Sequence, residues 1–206
     1  MIVPQVSSDH EIRGQNLRDD DHHRRLVREY MKTYIVLLRG VMPTGRNKVP
    51  MAQLREVLMK AGFGNVRTYI QSGNALVDTD LSAKEVETRV HDLIQKHIGA
   101  DLAVVARTRA QLQKVLDENP FQSGYDISRV FFVLFTEPPS PQKVKELLAN
   151  DFSPEKLAIT KNAAYMFIPG TYGRDTLSGN YLEKKLGVPA TMRNFNTTSK
   201  LIEMSK

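Results

Sequence analysis

Two continuous apolar runs set the terms on which this chain can fold. Residues 33–38 read Thr-Tyr-Ile-Val-Leu-Leu, and residues 130–135 read Val-Phe-Phe-Val-Leu-Phe. Each has the length of one strand and is rich in β-branched and aromatic residues. A strand without polar alternation has no face to give to water, so it sits centrally in a sheet covered on both sides. The chain must therefore supply cover twice, and a nearly identical succession of elements follows each run.

After the first run, Arg39-Gly40 ends the strand, and a loop over 41–49 carries Pro43, Gly45, Arg46 and Lys48. Pro50 opens a helix, as proline does at a first helical turn. Met51, Leu54, Val57, Leu58 and Ala61 form its buried stripe, and Gly62 stops it. Strands over 66–71 and 75–78 meet at Ser72-Gly73-Asn74 in a tight hairpin. Ser82 and Glu85 make a capping box for a helix whose Val86, Val90, Leu93, Ile94 and Ile98 share a face, and Gly99 ends it. A fourth strand covers 102–106, completing β-α-β-β-α-β, the split βαβ pattern. Thr108 and Gln111 cap a further helix to about residue 118.

The second run repeats this. Ser140-Pro141 starts a helix, a hairpin of strands 157–160 and 164–168 turns at Lys161-Asn162, and a helix over 178–186 ends at Gly187. A short extended piece near 188–190 precedes a last helix over 193–204. The expected fold is α+β: two tandem ferredoxin-like units with antiparallel sheets, plus a C-terminal helix. The first unit and its linking helix span 31–118 and the second spans 119–206.

Residues 1–30 have a different character. They hold five Arg and six acids, a net of −1, so the rest of the chain carries +7 and the whole chain +6. Apolar residues are sparse there, so the segment reads as a flexible extension, with Met31-Lys32 as a natural start. Asp21, His22 and His23 lack a fixed scaffold for a shared ion, and no metal or cofactor is expected. The chain contains no cysteine, which excludes disulfides and thiol catalysis. No apolar run reaches the ~20 residues of a membrane span and no secretory pattern opens the chain, so a cytoplasmic address is expected.

Split βαβ topology places the end of the first strand, the N-terminus of the first helix and the turn between the second and third strands at one sheet edge. Arg39, Gly40, Lys48, Ser72, Gly73 and Asn74 should therefore converge. Free N–H groups at a helix start, glycines that let a ligand approach, and cations together suit a small anionic or polar ligand. No Gly-Lys-Ser/Thr follows, so this is not a phosphate loop of the Walker type. The bland alternative is that the glycines serve turns and that Arg39 and Asn74 satisfy strand-end backbone. Arg193, Asn194 and Asn196, in a donor-rich stretch at the start of the last helix, are candidates to join the site, as is the Gly-Thr-Tyr-Gly-Arg stretch over 170–174.

Leu-Arg-Gly at 38–40, the Lys48–Leu54 segment, Gly62-Phe63, 67–74 and 191–197 resemble the motifs of an uncharacterised bacterial family, domain of unknown function 1697. The resemblance covers roughly residues 31–202. It implies a duplicated α+β fold in the cytoplasm and no settled activity. This chain departs from the family pattern at Met42-Pro43, where an Asn and its neighbour are usual, and at Phe195, where Trp is usual.

Two function classes compete. One is a metabolite-binding protein using the Arg39–Asn74 edge; no Ser-His-Asp set or carboxylate pair assigns it a reaction, and His91 and His97 read as surface residues. The other is RNA or single-stranded nucleic-acid binding, which needs exposed aromatics on central strands; Tyr165 and Phe167 alternate on one face, with Phe131 or Phe132 on the neighbouring strand. A protein-interaction module is a third reading that no residue favours.

Overall fold

The computed structural model describes residues 31–170 and 177–206. The acidic and histidine cluster within 1–30 and most of the 170–174 stretch lie outside the described residues.

The chain runs β1 (Lys32–Leu38), α1 (Met51–Lys60), β2 (Gly64–Thr68), β3 (Asn74–Thr79), α2 (Ala83–His97), β4 (Val104–Thr108) and α3 (Arg109–Asp117). A single 3-10 turn, Ile127–Arg129, leads into β5 (Val130–Phe135). Then come α4 (Pro141–Leu148), β6 (Lys156–Ile159), β7 (Ala164–Phe167), α5 (Gly179–Leu186), β8 (Ala190–Asn194) and α6 (Phe195–Met204). Two four-stranded antiparallel sheets result, ordered β2-β3-β1-β4 and β6-β7-β5-β8.

Both apolar runs are central strands, as their composition demands. Alternate residues of β1 feed opposite layers: Tyr34, Val36 and Leu38 meet α1 and α2, while Ile35 and Leu37 face the second half of the molecule. In β5, Val133 and Phe135 meet α4 and α5, while Phe132 and Leu134 point back toward the first sheet. The middle layer also takes Leu112 and Val115 from α3 and Leu201 and Ile202 from α6. The two sheets thus share one core, with α1 and α2 outside one and α4 and α5 outside the other.

Several element boundaries differ from the sequence reading, each for a local reason. β2 is Gly64–Thr68 rather than 66–71, because Asn65 and Ile70 both take left-handed φ, at 45° and 48°. The first breaks the register between Gly64 and Arg67, and the second turns the chain out of the ladder. β8 is Ala190–Asn194 rather than 188–190, because β5 offers a full antiparallel register from Phe135↔Ala190 to Phe131↔Asn194. Arg193 consequently belongs to a strand, and the last helix starts at Phe195, where the Asn194 side chain accepts from Thr197 N–H.

Candidate functional site

The site begins with the end of β1. Leu38 N–H donates to the Gly73 carbonyl at 2.8 Å, which joins the first strand to the hairpin turn. The turn is held from inside: Tyr69 N–H donates to Asn74 O at 3.0 Å, and Asn74 Nδ2 donates to Tyr69 O at 3.1 Å and Ser72 Oγ at 2.9 Å. Gly73, at φ 78°, has no room for a side chain, since a Cβ would lie 2.6 Å from Val41 Cγ2 and 2.8 Å from Leu38 Cβ. The loop after β1 folds on itself through Met42 N–H to Asn47 O and Lys48 N–H to Gly45 O. Gln71 Nε2 then donates to Val49 O at 2.8 Å, fastening the turn to the loop just before α1.

Arg193 fills the centre of this edge. Its Nε donates to Asn74 Oδ1 at 2.6 Å. Its Nη1 donates to Thr191 Oγ1 and Met192 O, each at 2.8 Å. Its Nη2 faces the carbonyls of Leu38, Ser72 and Gly73 at 3.0–3.1 Å. These partners are neutral, and burial lowers the guanidinium to about 10, which still leaves it protonated at neutral pH. Thr191 Oγ1 adds a bond to Leu38 O at 3.2 Å. β8 of the second half is thereby stitched to the β1 end and the hairpin of the first.

Arg39 turns the other way. Its Nε donates to both carboxylate oxygens of Glu183 on α5, at 2.6 and 2.8 Å, its Nη2 also meets Glu183 Oε2, and Asn180 Oδ1 accepts at 3.3 Å. The Glu183 hydrogen bonds raise the Arg39 guanidinium above its ordinary value. Glu183 Oε1 also accepts from Ala190 N–H at 2.6 Å, so one carboxylate ties the β1 end to α5 and β8 together.

Ser72, Gly73, Asn74 and Arg193 therefore meet one another, while Arg39, at the same end of β1, spends its side chain on Glu183 and Asn180 instead. Gly40, at φ 63°, and Lys48 lie on the exposed side of the same edge. Asn194 and Asn196 form no hydrogen bond to this group among the described residues: Asn194 caps α6 and Asn196 is exposed in its first turn. Glu183 escaped the sequence reading. The signal was an offset: Glu183 stands five residues after the cap Ser178, as Glu87 stands five after Ser82. Both reach a backbone N–H of the fourth strand in their half, Glu87 accepting from Ala106 and Glu183 from Ala190.

The aromatic platform needed for stacking on nucleic acid is closed. Tyr165 and Phe132 are fully buried and pack edge to face at 5.8 Å in the core between the sheets. Phe167 lies against Phe121 and Tyr125. The alternation of Tyr165 and Phe167 reflects core packing, because the first sheet covers that face. Among the described residues no group of three or more His, Asp or Glu side chains converges to hold a metal ion. Nor is any described helix long and apolar enough to cross a membrane.

The fold and this edge define an α+β protein of two four-stranded antiparallel sheets joined through a polar seam. The chain belongs to the family described as "Protein of unknown function (DUF1697)", whose profile matches residues 31–165. Among solved structures it is similar to the conserved bacterial protein SP0830 from Streptococcus pneumoniae. That likeness has a TM-score of 0.68 and 24% sequence identity, covering 85% of this chain and 99% of that one. At this identity it speaks for the fold alone. No curated protein matches the chain.

Proposed function

We infer that the protein binds a small anionic or polar metabolite in the cytoplasm, on the exposed side of the loop edge in its first half. The observation that carries this is a pair of cations left over after the seam is built. Arg46 and Lys48 are exposed and form no ion pair among the described residues. They stand before α1, whose cap Pro50 offers no side-chain acceptor to the first helical N–H groups. Ile70 adds support: a β-branched residue at φ 48°, 53% exposed, costs strain that stabilising contacts elsewhere must offset. Arg39, Asn74 and Arg193 are committed to the seam and serve the proposed site by holding the strand end and the turn that flank the loop.

The same inference extends to the architecture. Two ferredoxin-like units, 31–118 and 119–206, related by duplication, account for both sheets having one strand order. They also account for Arg107 and Arg193 occupying one register. Arg107 pairs with Ile35, three residues before the end of β1, and Arg193 pairs with Phe132, three before the end of β5.

A thermal-shift panel of nucleotides, sugar phosphates and other metabolites tests the binding reading. A ligand at a hundredfold excess over its dissociation constant stabilises the folded state by about 2.7 kcal/mol. The expected result is a hit that disappears in Arg46→Ala/Lys48→Ala while the unliganded midpoint holds. A hit indifferent to both substitutions, or no hit across the panel, contradicts the reading.

A further inference from the structure

The second half has its own loop edge, and it is built differently. In the first half α1 packs extensively on β2, and Gln71 closes the gap between turn and loop. In the second half α4 meets β6 only lightly. The β6–β7 turn closes on itself, with Thr160 N–H donating to Ala163 O at 2.9 Å and Asn162 N–H to Thr160 Oγ1 at 3.1 Å. Its side chains are drawn to Glu118, which accepts from Asn162 at 2.7 Å and Thr160 at 3.2 Å. Across the gap, Pro138 and Pro139 have no N–H to offer the turn. A groove of about 680 Å³ stays open between α4 and the hairpin, within the size range of small-molecule sites.

The lining of the groove states what it would take. Val144, Leu148 and Ile159 supply an apolar floor, on which Leu148 remains 42% exposed. Lys145 on α4 and Lys161 on the turn also line it, one from each side. Both are exposed, and neither forms an ion pair among the described residues. Glu118, the acid close enough to Lys161 to feel its charge, is occupied by Asn162 and Thr160. Glu137 and Glu146, nearest in sequence, do not line the groove, and Glu146 accepts from Gln142.

We propose that the groove between α4 and the β6–β7 hairpin is a second binding site, for an amphipathic carboxylate: an apolar chain or ring on Val144, Leu148 and Ile159, with its anionic end between Lys145 and Lys161. The site stands on residues separate from the cations of the first half, so it holds or fails independently of the binding reading there.

The test titrates the full chain with anilinonaphthalene sulfonate, an aryl anion that fluoresces when desolvated, and displaces it with decanoate or with neutral decanol. Saturable binding is expected, with decanoate displacing the probe at least about fivefold more effectively than decanol. In Lys145→Glu/Lys161→Glu, decanoate should weaken by about tenfold with decanol unchanged, and Leu148→Glu should remove both. All three positions are exposed, so circular dichroism and the unfolding midpoint should match the parent chain. Unsaturable binding overturns the proposal, as does equal affinity for decanoate in the charge-reversed variant. Loss of decanoate binding in Arg46→Ala/Lys48→Ala also overturns it, since the anion then belongs to the first half. Displacement by a polyglutamate peptide but not by decanoate overturns it in favour of an acidic protein segment.

Discussion

Arg193 carries a positive charge to a place where only neutral oxygens meet it. Every N–H of its guanidinium is used, on three carbonyls of the first half, two groups of its own strand and Asn74 Oδ1. Removing it strands several buried acceptors at once. Arg193→Met is therefore expected to cost at least about 3 kcal/mol in denaturant unfolding, and Arg193→Lys should recover little, because one ammonium cannot reproduce the fork. A loss below about 1 kcal/mol would mean that water takes over these carbonyls. Gly73→Ala meets two obstacles, the left-handed φ of 78° and the contact with Val41 and Leu38. Together these predict about 2–4 kcal/mol of destabilisation, readable in the same unfolding curves. At this scale the sequence placed the Ser72-Gly73-Asn74 turn beside the end of Arg39's strand, and the bond from Leu38 N–H to Gly73 O joins them there. The sequence could not show that Asn74 and Arg193 would find each other across 119 positions. A donor aimed at a ligand and a donor aimed at the protein's own backbone have the same letter.

Helices and strands were more legible than their ends. The capping boxes at Ser82/Glu85 and Thr108/Gln111 form as their spacing requires. Thr108→Ala should destabilise the protein by about 1 kcal/mol, because α3 begins there and feeds the shared core. The misplaced boundaries, at β2 and β8, depend on information outside the segment: a left-handed β-branched residue in one case, and the register offered by β5 in the other. His91 also gained a role at this scale. It joins α2 to the turn before β4, its ring lying 3.1 Å from Asp92 and 3.0 Å from Asp101. Those two hydrogen bonds raise the imidazole above its ordinary value of 6.5. A group whose pKa is raised on folding stabilises the folded state fully below the unfolded pKa, and that contribution is lost as pH rises through the folded one. Between about pH 5.5 and about pH 8.5 the parent chain should therefore lose more stability than His91→Gln does. Parallel pH dependence in the two proteins would show that the triplet is not populated in solution.

The two halves hold each other by exchange. Arg107 of β4 donates to Phe135 O at the end of β5, while Arg193 of β8 donates to Leu38 O at the end of β1. Glu87 steadies Arg107 at 3.3 Å, although burial lowers that guanidinium more than the carboxylate raises it. Arg39–Glu183, the bonds from Thr160 and Asn162 to Glu118, and Arg67 to Met204 O reinforce the seam around the apolar layer. Neither sheet keeps a covered inner face without the other. Unfolding should accordingly be a single transition, with circular dichroism and tyrosine fluorescence coincident. Two separated transitions in the parent chain would contradict a shared core. The repeat of elements was visible in the sequence, but face-to-face packing was not, because the apolar residues of a buried sheet do not say whether a helix or another sheet will cover them.

The inference that matters most is that the cations left free of this seam, Arg46 and Lys48, bind a small anion beside the start of α1. An amide proton–nitrogen NMR titration with inorganic phosphate and a sugar phosphate tests it most directly. The account predicts saturable shifts confined to residues 41–53 and 70–72, reproduced in Lys145→Glu/Lys161→Glu and absent from Arg46→Ala/Lys48→Ala. Shifts centred elsewhere, or unchanged spectra at millimolar ligand, would contradict it.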